Sequence, residues 1–424
     1  MSFLQIVPEK TSFLHEGQPF FYLADTVWSA FTNVTQEEWE KYLNYRKLQG
    51  FNVLQINLLH QWDASLPYLR FPFKRDERGS YSKFERDETY FDFAEKLLEQ
   101  AVKKGLIPAL VLLWCNFVPD TWASQRGISP VMPFSVMEEY IHYAVERFSR
   151  FGPIFVVSGD TNFGSQETVR YYLRALEIVK TIAPSVLTTM HLQPEVDLPE
   201  VIVQSPYLDF YMYQSGHRRE KQHFPYALAQ KFLCQPVKRP IVNGEPCYEG
   251  HPFGFTKEGS FKAFDVRKAI WQSLLSGACA GVTYGAHGIW CWHRVGAEFR
   301  GVEFSGEPFE WDIALSFQGA WDVAFAKYIF EQYKLFGLQP VEDVLSGAPS
   351  EIRFAITPDR SRFAIYSPNT QSITLKMNLK EFSNVIGINL TTRHIIYPQI
   401  VLESGVSKIK KLPCNSDVLF LGFC

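Results

Sequence analysis

The sequence predicts an α/β chain: a (β/α)8 TIM barrel followed by a small all-β sandwich. Three observations predict it. Short apolar runs alternate with helix-like runs from about residue 20 to residue 335. Eight strand–helix pairs can be read there, the number that closes a parallel barrel. After about residue 345 the pattern changes to short strand-like runs separated by turn residues. The expected division is therefore residues 1–340 for the barrel and 345–424 for the sandwich.

The elements follow in order. Phe20 to Leu23 is the first predicted strand. Thr35-Gln36-Glu37-Glu38 has the form of a capping box, after which Trp39, Tyr42 and Leu43 share one helical face. Gly50 ends that helix, and Val53 to Ile56 is the second strand. Ala94, Leu97, Leu98, Ala101 and Val102 mark the second helix, closed by Gly105. Ala109 to Leu113 is strand three. Ser135-Val136-Met137-Glu138 reads as another capping box, opening a helix that stops before Gly152-Pro153. Ile154 to Val157 is strand four, and a helix from about Gln166 to Ile182 ends before Pro184. Val186 to Met190, Leu208 to Tyr213, Pro240 to Val242 and Gly281 to Tyr284 are strands five to eight. Helices are predicted over Val266 to Ser276 and Phe317 to Tyr333. Beyond them, Arg353 to Ile356, Arg362 to Tyr366 and Ser372 to Met377 are strands of the sandwich.

Residues 58 to 86 form a long insertion after strand two, carrying Trp62, Tyr68, Phe71, Phe73, Arg75 and Tyr81. A loop of that length is functional or disordered. Its ring content favours a wall of a cleft.

The bulk numbers exclude several classes. The 424 residues carry 42 basic and 45 acidic side chains, so no field favours nucleic acid or an acidic membrane. Seven cysteines show no C-x-x-C pair, and Cys115, Cys279 and Cys291 lie in apolar runs, which suits buried free thiols in a reducing compartment. The start, Met1-Ser2-Phe3-Leu4-Gln5, has neither a basic region nor an apolar stretch, and a cytoplasmic location is expected. Aromatics make up 16%, which fits a ring-rich core and also rings lining a sugar cleft.

Two acids stand out. Asp160 follows the apolar run Ile154 to Val157, and Glu245 follows Pro240 to Val242. Both lie where a strand gives way to a loop, the end of a parallel barrel that carries active sites. Strands four and seven face each other, so the two loops can meet over one cleft. One such acid alone would read as a helix cap or a solvated turn residue. Two on facing strands, each beside a glycine, read as a pair. Glycosidic bond hydrolysis needs two carboxyls, one protonated to assist the leaving oxygen and one ionised. Barrel type assigns Asp160 as acid/base and Glu245 as nucleophile.

Other polar and ring residues gather at the same strand ends. The substrate-binding candidates are Asp25, Trp28, Asn57, Trp114, Asn162, His191, Gln214, His217, Tyr248, Tyr284, His287 and Trp290. Their shared position suits a hydroxyl-rich ligand, which needs many oriented donors and acceptors. Competing chemistries find no pattern: there is no His-x-His after strand one, no H-E-x-x-H, no P-loop and no G-x-G-x-x-G. No metal or cofactor is expected, and the expected partner is an oligosaccharide. The rival class is a carbohydrate-binding barrel without turnover.

Five stretches carry a resemblance. They are Phe21 to Trp28, Gly159-Asp160-Thr161-Asn162, Gln214-Ser215-Gly216-His217, Glu245-Pro246-Cys247-Tyr248-Glu249 and Tyr284 to Trp290. On these the chain resembles the apiosidase-like glycoside hydrolases, a barrel family related to the retaining-glycosidase clan, over nearly its whole length. The resemblance implies a C-terminal β-domain often labelled collagen-binding, and catalytic acids at Asp160 and Glu245. It further implies a retaining, exo-acting hydrolase of plant-derived or similar oligosaccharides. Two departures are visible. Ser158 stands where the family commonly has a second glycine, and the secretion signal of many relatives is missing, which points to short imported oligosaccharides.

Overall fold

The computed structural model describes residues 3–254 and 258–424. Met1 and Ser2, part of the start read for a leader, lie outside the described residues. Eight parallel strands form a nearly closed barrel. Labelling the barrel strands alone, β1 is Tyr22–Thr26, β2 Val53–Asn57, β3 Ile107–Val111 and β4 Ile154–Val156. Then β5 is Thr188–Thr189, β6 Tyr211–Gln214, β7 Ile241–Glu245 and β8 Gly281–Tyr284. Their order is β6-β7-β8-β1-β2-β3-β4-β5. A parallel bridge between His191 and Met212 draws the two ends together. The strands are buried on both faces, as helix-covered parallel strands must be, and so read as continuous apolar runs.

Several boundaries shift from the sequence reading. The first strand starts at Tyr22, because Gln18–Phe20 belongs to a separate antiparallel sheet with Gln5–Ile6 and Phe13–His15. Strand seven extends through Glu245, so the acid belongs to the strand end itself. The fifth strand shrinks to two residues, and only the four-residue helix Glu200–Val203 lies between β5 and β6.

Capping chemistry explains the helix starts. Thr35 forms the predicted capping box with Glu38 at the head of helix Gln36–Gln49, and Gly50 closes it in the left-handed region. At Ser135 the prediction fails. The helix there begins at Phe134 behind Pro133, without a side-chain cap. Proline supplies a fixed φ just ahead of the helix instead of a hydroxyl acceptor.

The C-terminal part holds two antiparallel sheets. The six-stranded one begins with Gln339–Pro340, inside the stretch that the sequence reading gave to the barrel. A three-stranded sheet of Ile373–Leu375, Val406–Ile409 and Ile400–Glu403 lies across a shared core of Phe354, Phe363, Ile365 and Phe420. This part is tied to the barrel by charge. Arg267, on the barrel helix Ala263–Leu274, makes a two-pronged contact with Asp417 at 2.7 and 2.8 Å and reaches Asp322 at 2.6 Å. All three are buried, so removing Arg267 would leave two buried carboxylates without their shared cation.

Among the described residues, no helix is long and apolar enough to cross a membrane. No group of three His, Cys, Asp or Glu side chains among them is placed to hold a metal. The seven cysteines are free thiols, and four of them are buried.

Candidate active site

A cleft of about 370 Å³ opens at the C-terminal end of the barrel strands. Asp160 and Glu245 both line it. Each owes its aim to a local irregularity.

Glu245 ends β7, where the β6–β7 register slips between Tyr213 and Gln214. A bulge of this kind turns side chains at the end of a ladder. It brings Gln214 level with Glu245, and the Gln214 amide donates to Glu245 Oε1 at 2.8 Å. His217 Nε2 lies 2.9 Å from the same oxygen, and His191 Nε2 lies 3.1 Å from Oε2. The backbone chooses the tautomers. The Tyr248 N–H donates to His217 Nδ1, and the Asp160 N–H donates to His191 Nδ1. A δ-nitrogen that accepts leaves the proton on Nε2, facing the carboxylate. The His191 approach is off the ideal line, so it acts more as a near dipole than as a full hydrogen bond. Burial works to raise the Glu245 pKa. The His191 and His217 contacts outweigh it and hold the carboxyl at about 2.

Asp160 sits just past β4 with a positive φ of 48°, a conformation that side chains resist. The neighbouring Gly159 passes flat against the Trp114 ring, where any Cβ would collide. The Trp122 indole donates to the Asp160 carbonyl at 2.8 Å, and the Asp160 Oδ1 finds no protein partner. Burial, then the charges of Glu245 and Asp63, push its carboxyl well above the usual range. The two acids are thus driven apart in protonation, Glu245 ionised and Asp160 protonated.

Ser158, the departure from the family pattern, turns away from the cleft. Its hydroxyl donates to the His191 carbonyl at 3.0 Å and helps tie the end of β5 to β4.

The other predicted residues divide into three groups. Trp28, Trp114, Gln214, His217, Tyr248 and Trp290 line the cleft together. The Trp28 indole donates to the Tyr248 hydroxyl at 3.2 Å, and the Trp28 and Trp114 rings meet edge to face at 5.3 Å. The Tyr248 ring covers Gly285, which has no room for a side chain. A second group stands behind the cleft wall. His191 touches Glu245 from behind, His287 accepts from the Trp290 indole, and Asn162 accepts from the Trp122 N–H at 2.8 Å. Asn57 donates to Gln61, whose amide continues to Asp63 at 2.6 Å.

The third group corrects the sequence reading. Asp25, expected on substrate, is fully buried and bound to Arg46 and Tyr42, both at 2.6 Å. Arg46 is fully buried too, among the Tyr42, Phe51 and Tyr284 rings. Tyr284 donates to Glu249 Oε2 at 2.7 Å, and the Gly319 N–H meets the same oxygen at 2.8 Å. These are internal pairs of the scaffold, outside the cleft.

Sequence reasoning missed Gln61, Asp63, Trp122, Arg126, His251 and Phe304, which also line the cleft. Trp62 was legible as part of the ring-rich insertion. Its ring packs on Trp122 at 6.3 Å and on Phe304 at 5.9 Å, so the insertion does form a wall. Asp63 lay in plain view one residue further on, but no strand end marked it.

The fold is similar to that of solved glycoside hydrolases. One solved glycoside hydrolase superposes with a TM-score of 0.82 at 21% identity, covering 99% of this chain and 96% of that one. A family 5 glycoside hydrolase from Bacteroides vulgatus ATCC 8482 gives 0.81 at 19% identity, covering 99% and 93%. Within that fold, residues 9–337 match the family described as Apiosidase-like, catalytic domain. The chain belongs to this family. No curated protein matches it in sequence.

Proposed function

We propose that this protein is a retaining O-glycoside hydrolase that removes sugars from the ends of short, plant-derived or similar oligosaccharides. One observation carries the reading. Two carboxyls share a ring-lined cleft, and their surroundings set them in opposite protonation states. Asp160, kept protonated, gives its proton to the departing oxygen. Glu245, held ionised by His217, Gln214 and His191, attacks the anomeric carbon from the other side. The covalent glycosyl ester then yields to water, activated by Asp160 as base. Trp28, Trp114, Tyr248 and Trp290 offer flat faces to the sugar rings. The cleft volume of about 370 Å³ lies near the small end of ligand pockets, about 300–1,000 Å³, which favours a chain end over a long polymer.

The test is a screen of aryl glycosides and plant cell-wall oligosaccharides, followed by NMR of the first-formed anomer. Turnover with retained configuration is expected. An inverted product would sink the covalent step, and a panel with binding but no turnover would sink the hydrolase.

A further inference from the structure

The cleft contains a third carboxyl that the two-acid mechanism does not use. Asp63 lies in the insertion after β2, next to Trp62, and lines the same cleft as Asp160 and Glu245. It is held by a relay that starts in the barrel. The Asn57 amide at the end of β2 donates to Gln61 Oε1, and Gln61 Nε2 donates to Asp63 Oδ1 at 2.6 Å. Tyr68 fixes the Gln61 carbonyl at 2.9 Å. Asn57 and Gln61 are buried, so the relay is rigid, while Asp63 is partly exposed to the cleft. Among the described residues, Gln61 supplies the side-chain hydrogen bond that the carboxylate receives. A carboxylate oriented by a buried relay and partly exposed at the cleft is a preformed acceptor for hydroxyl groups.

We propose that Asp63 is a substrate-binding residue that accepts hydrogen bonds from adjacent hydroxyls of a sugar ring stacked on Trp62. The assignment rests on the hydrolase reading above and deepens it by naming what selects the sugar. Asp63 works as an acceptor only when ionised. Burial, with Glu245 as the charge that adds to it, raises its carboxyl to about 7. From the surrounding elements it also faces Asp160, Tyr68, Cys115, Cys291 and Arg126. Tyr68 and both thiols are pushed upward and stay neutral through this range. Asp160 governs the proton given to the leaving group and so enters kcat. His217 and His251 line the same cleft, so the part of any affinity loss below about pH 7 that D63N removes is the part assigned to Asp63.

The experiment compares wild type, D63N and D63A on the best aryl glycoside of the screen and on its monodeoxy analogues. Folding is checked by the thermal midpoint. D63A is expected to raise KM by about 10- to 100-fold, the worth of hydrogen bonds to a charged group, with kcat changed less than about threefold. Wild-type KM should rise below about pH 7, and the D63N profile should be flatter there. One deoxy analogue should be penalised by wild type and not by D63A. An unchanged KM in D63A, with wild-type turnover intact, overturns the assignment. So does a kcat loss confined to poor leaving groups, which would make Asp63 a proton donor instead. If wild type turns over nothing, the hydrolase reading is what fails. Calorimetry of the same oligosaccharides with wild type and D63A then still decides the contact: weaker binding in D63A supports it, and equal binding overturns it.

Discussion

Two carboxylates at one rim of the barrel, Asp25 at the end of β1 and Glu245 at the end of β7, are both buried and both hydrogen-bonded, yet their partners differ in kind. Asp25 is paired with a permanent cation, Arg46, and a tyrosine, and the whole group is sealed from the cleft. Glu245 is held by an amide and two histidines whose tautomers are set by backbone N–H groups, and it faces open space. A full cation would quench a nucleophile and block its approach. Amide and imidazole donors keep the carboxylate available to the cleft while lowering the cost of burying it. Position at a strand end therefore does not separate scaffold from site. The nature of the partner does.

Four experiments break or sharpen that contrast. Glu245→Gln should abolish turnover on every substrate, by about 10⁴-fold or more in kcat, with the fold intact by circular dichroism. Asp160→Asn should lower kcat on natural glycosides by about 10²- to 10⁴-fold and largely spare aryl glycosides with good leaving groups. Its pH profile should lose the alkaline limb, since the raised carboxyl is active while protonated. Equal losses on both substrate types would count against the acid role.

Asp25→Ala acts on the other carboxylate. It should cost about 3–5 kcal/mol in denaturant unfolding, because Arg46 is left buried without its partner. The folded fraction should keep its KM. A large KM change with normal stability would return Asp25 to the site. The smallest effect is expected from His217→Ala. Removing one donor lets burial prevail at Glu245, so the acid limb of kcat/KM should move upward, with a loss of about tenfold at neutral pH.

Stability reads the same contact. The folded value of about 2 lies below the ordinary 4.5, so ionised Glu245 contributes stability above pH 4.5 that is lost as pH falls toward 2. Glu245→Gln should flatten that part of the acid-unfolding profile.

Much of this was legible in the chain. Apolar runs located all eight barrel strands, because buried parallel strands cannot alternate with polar residues. The acids Asp160 and Glu245 stood out because each follows such a run. The capping box at Thr35 and the stop at Gly50 were readable from local hydrogen-bond chemistry alone. Where a residue follows a strand, the sequence says that it reaches the rim.

What it faces there was settled by tertiary structure. Asp25 and Asp160 look alike in the sequence, each closing an apolar run. One is claimed by Arg46, which follows 21 positions later on a helix, and the other is left in the cleft. Asp63 has no signal of its own, since its place depends on a relay from Asn57 through Gln61. The opposed protonation of Asp160 and Glu245 was likewise invisible, because it arises from burial and from donors brought in by β5 and β6. Sequence periodicity determines which residues are buried and where strands end. Charge, aim and proton affinity depend on contacts between residues far apart in the chain, and only the closed barrel creates those.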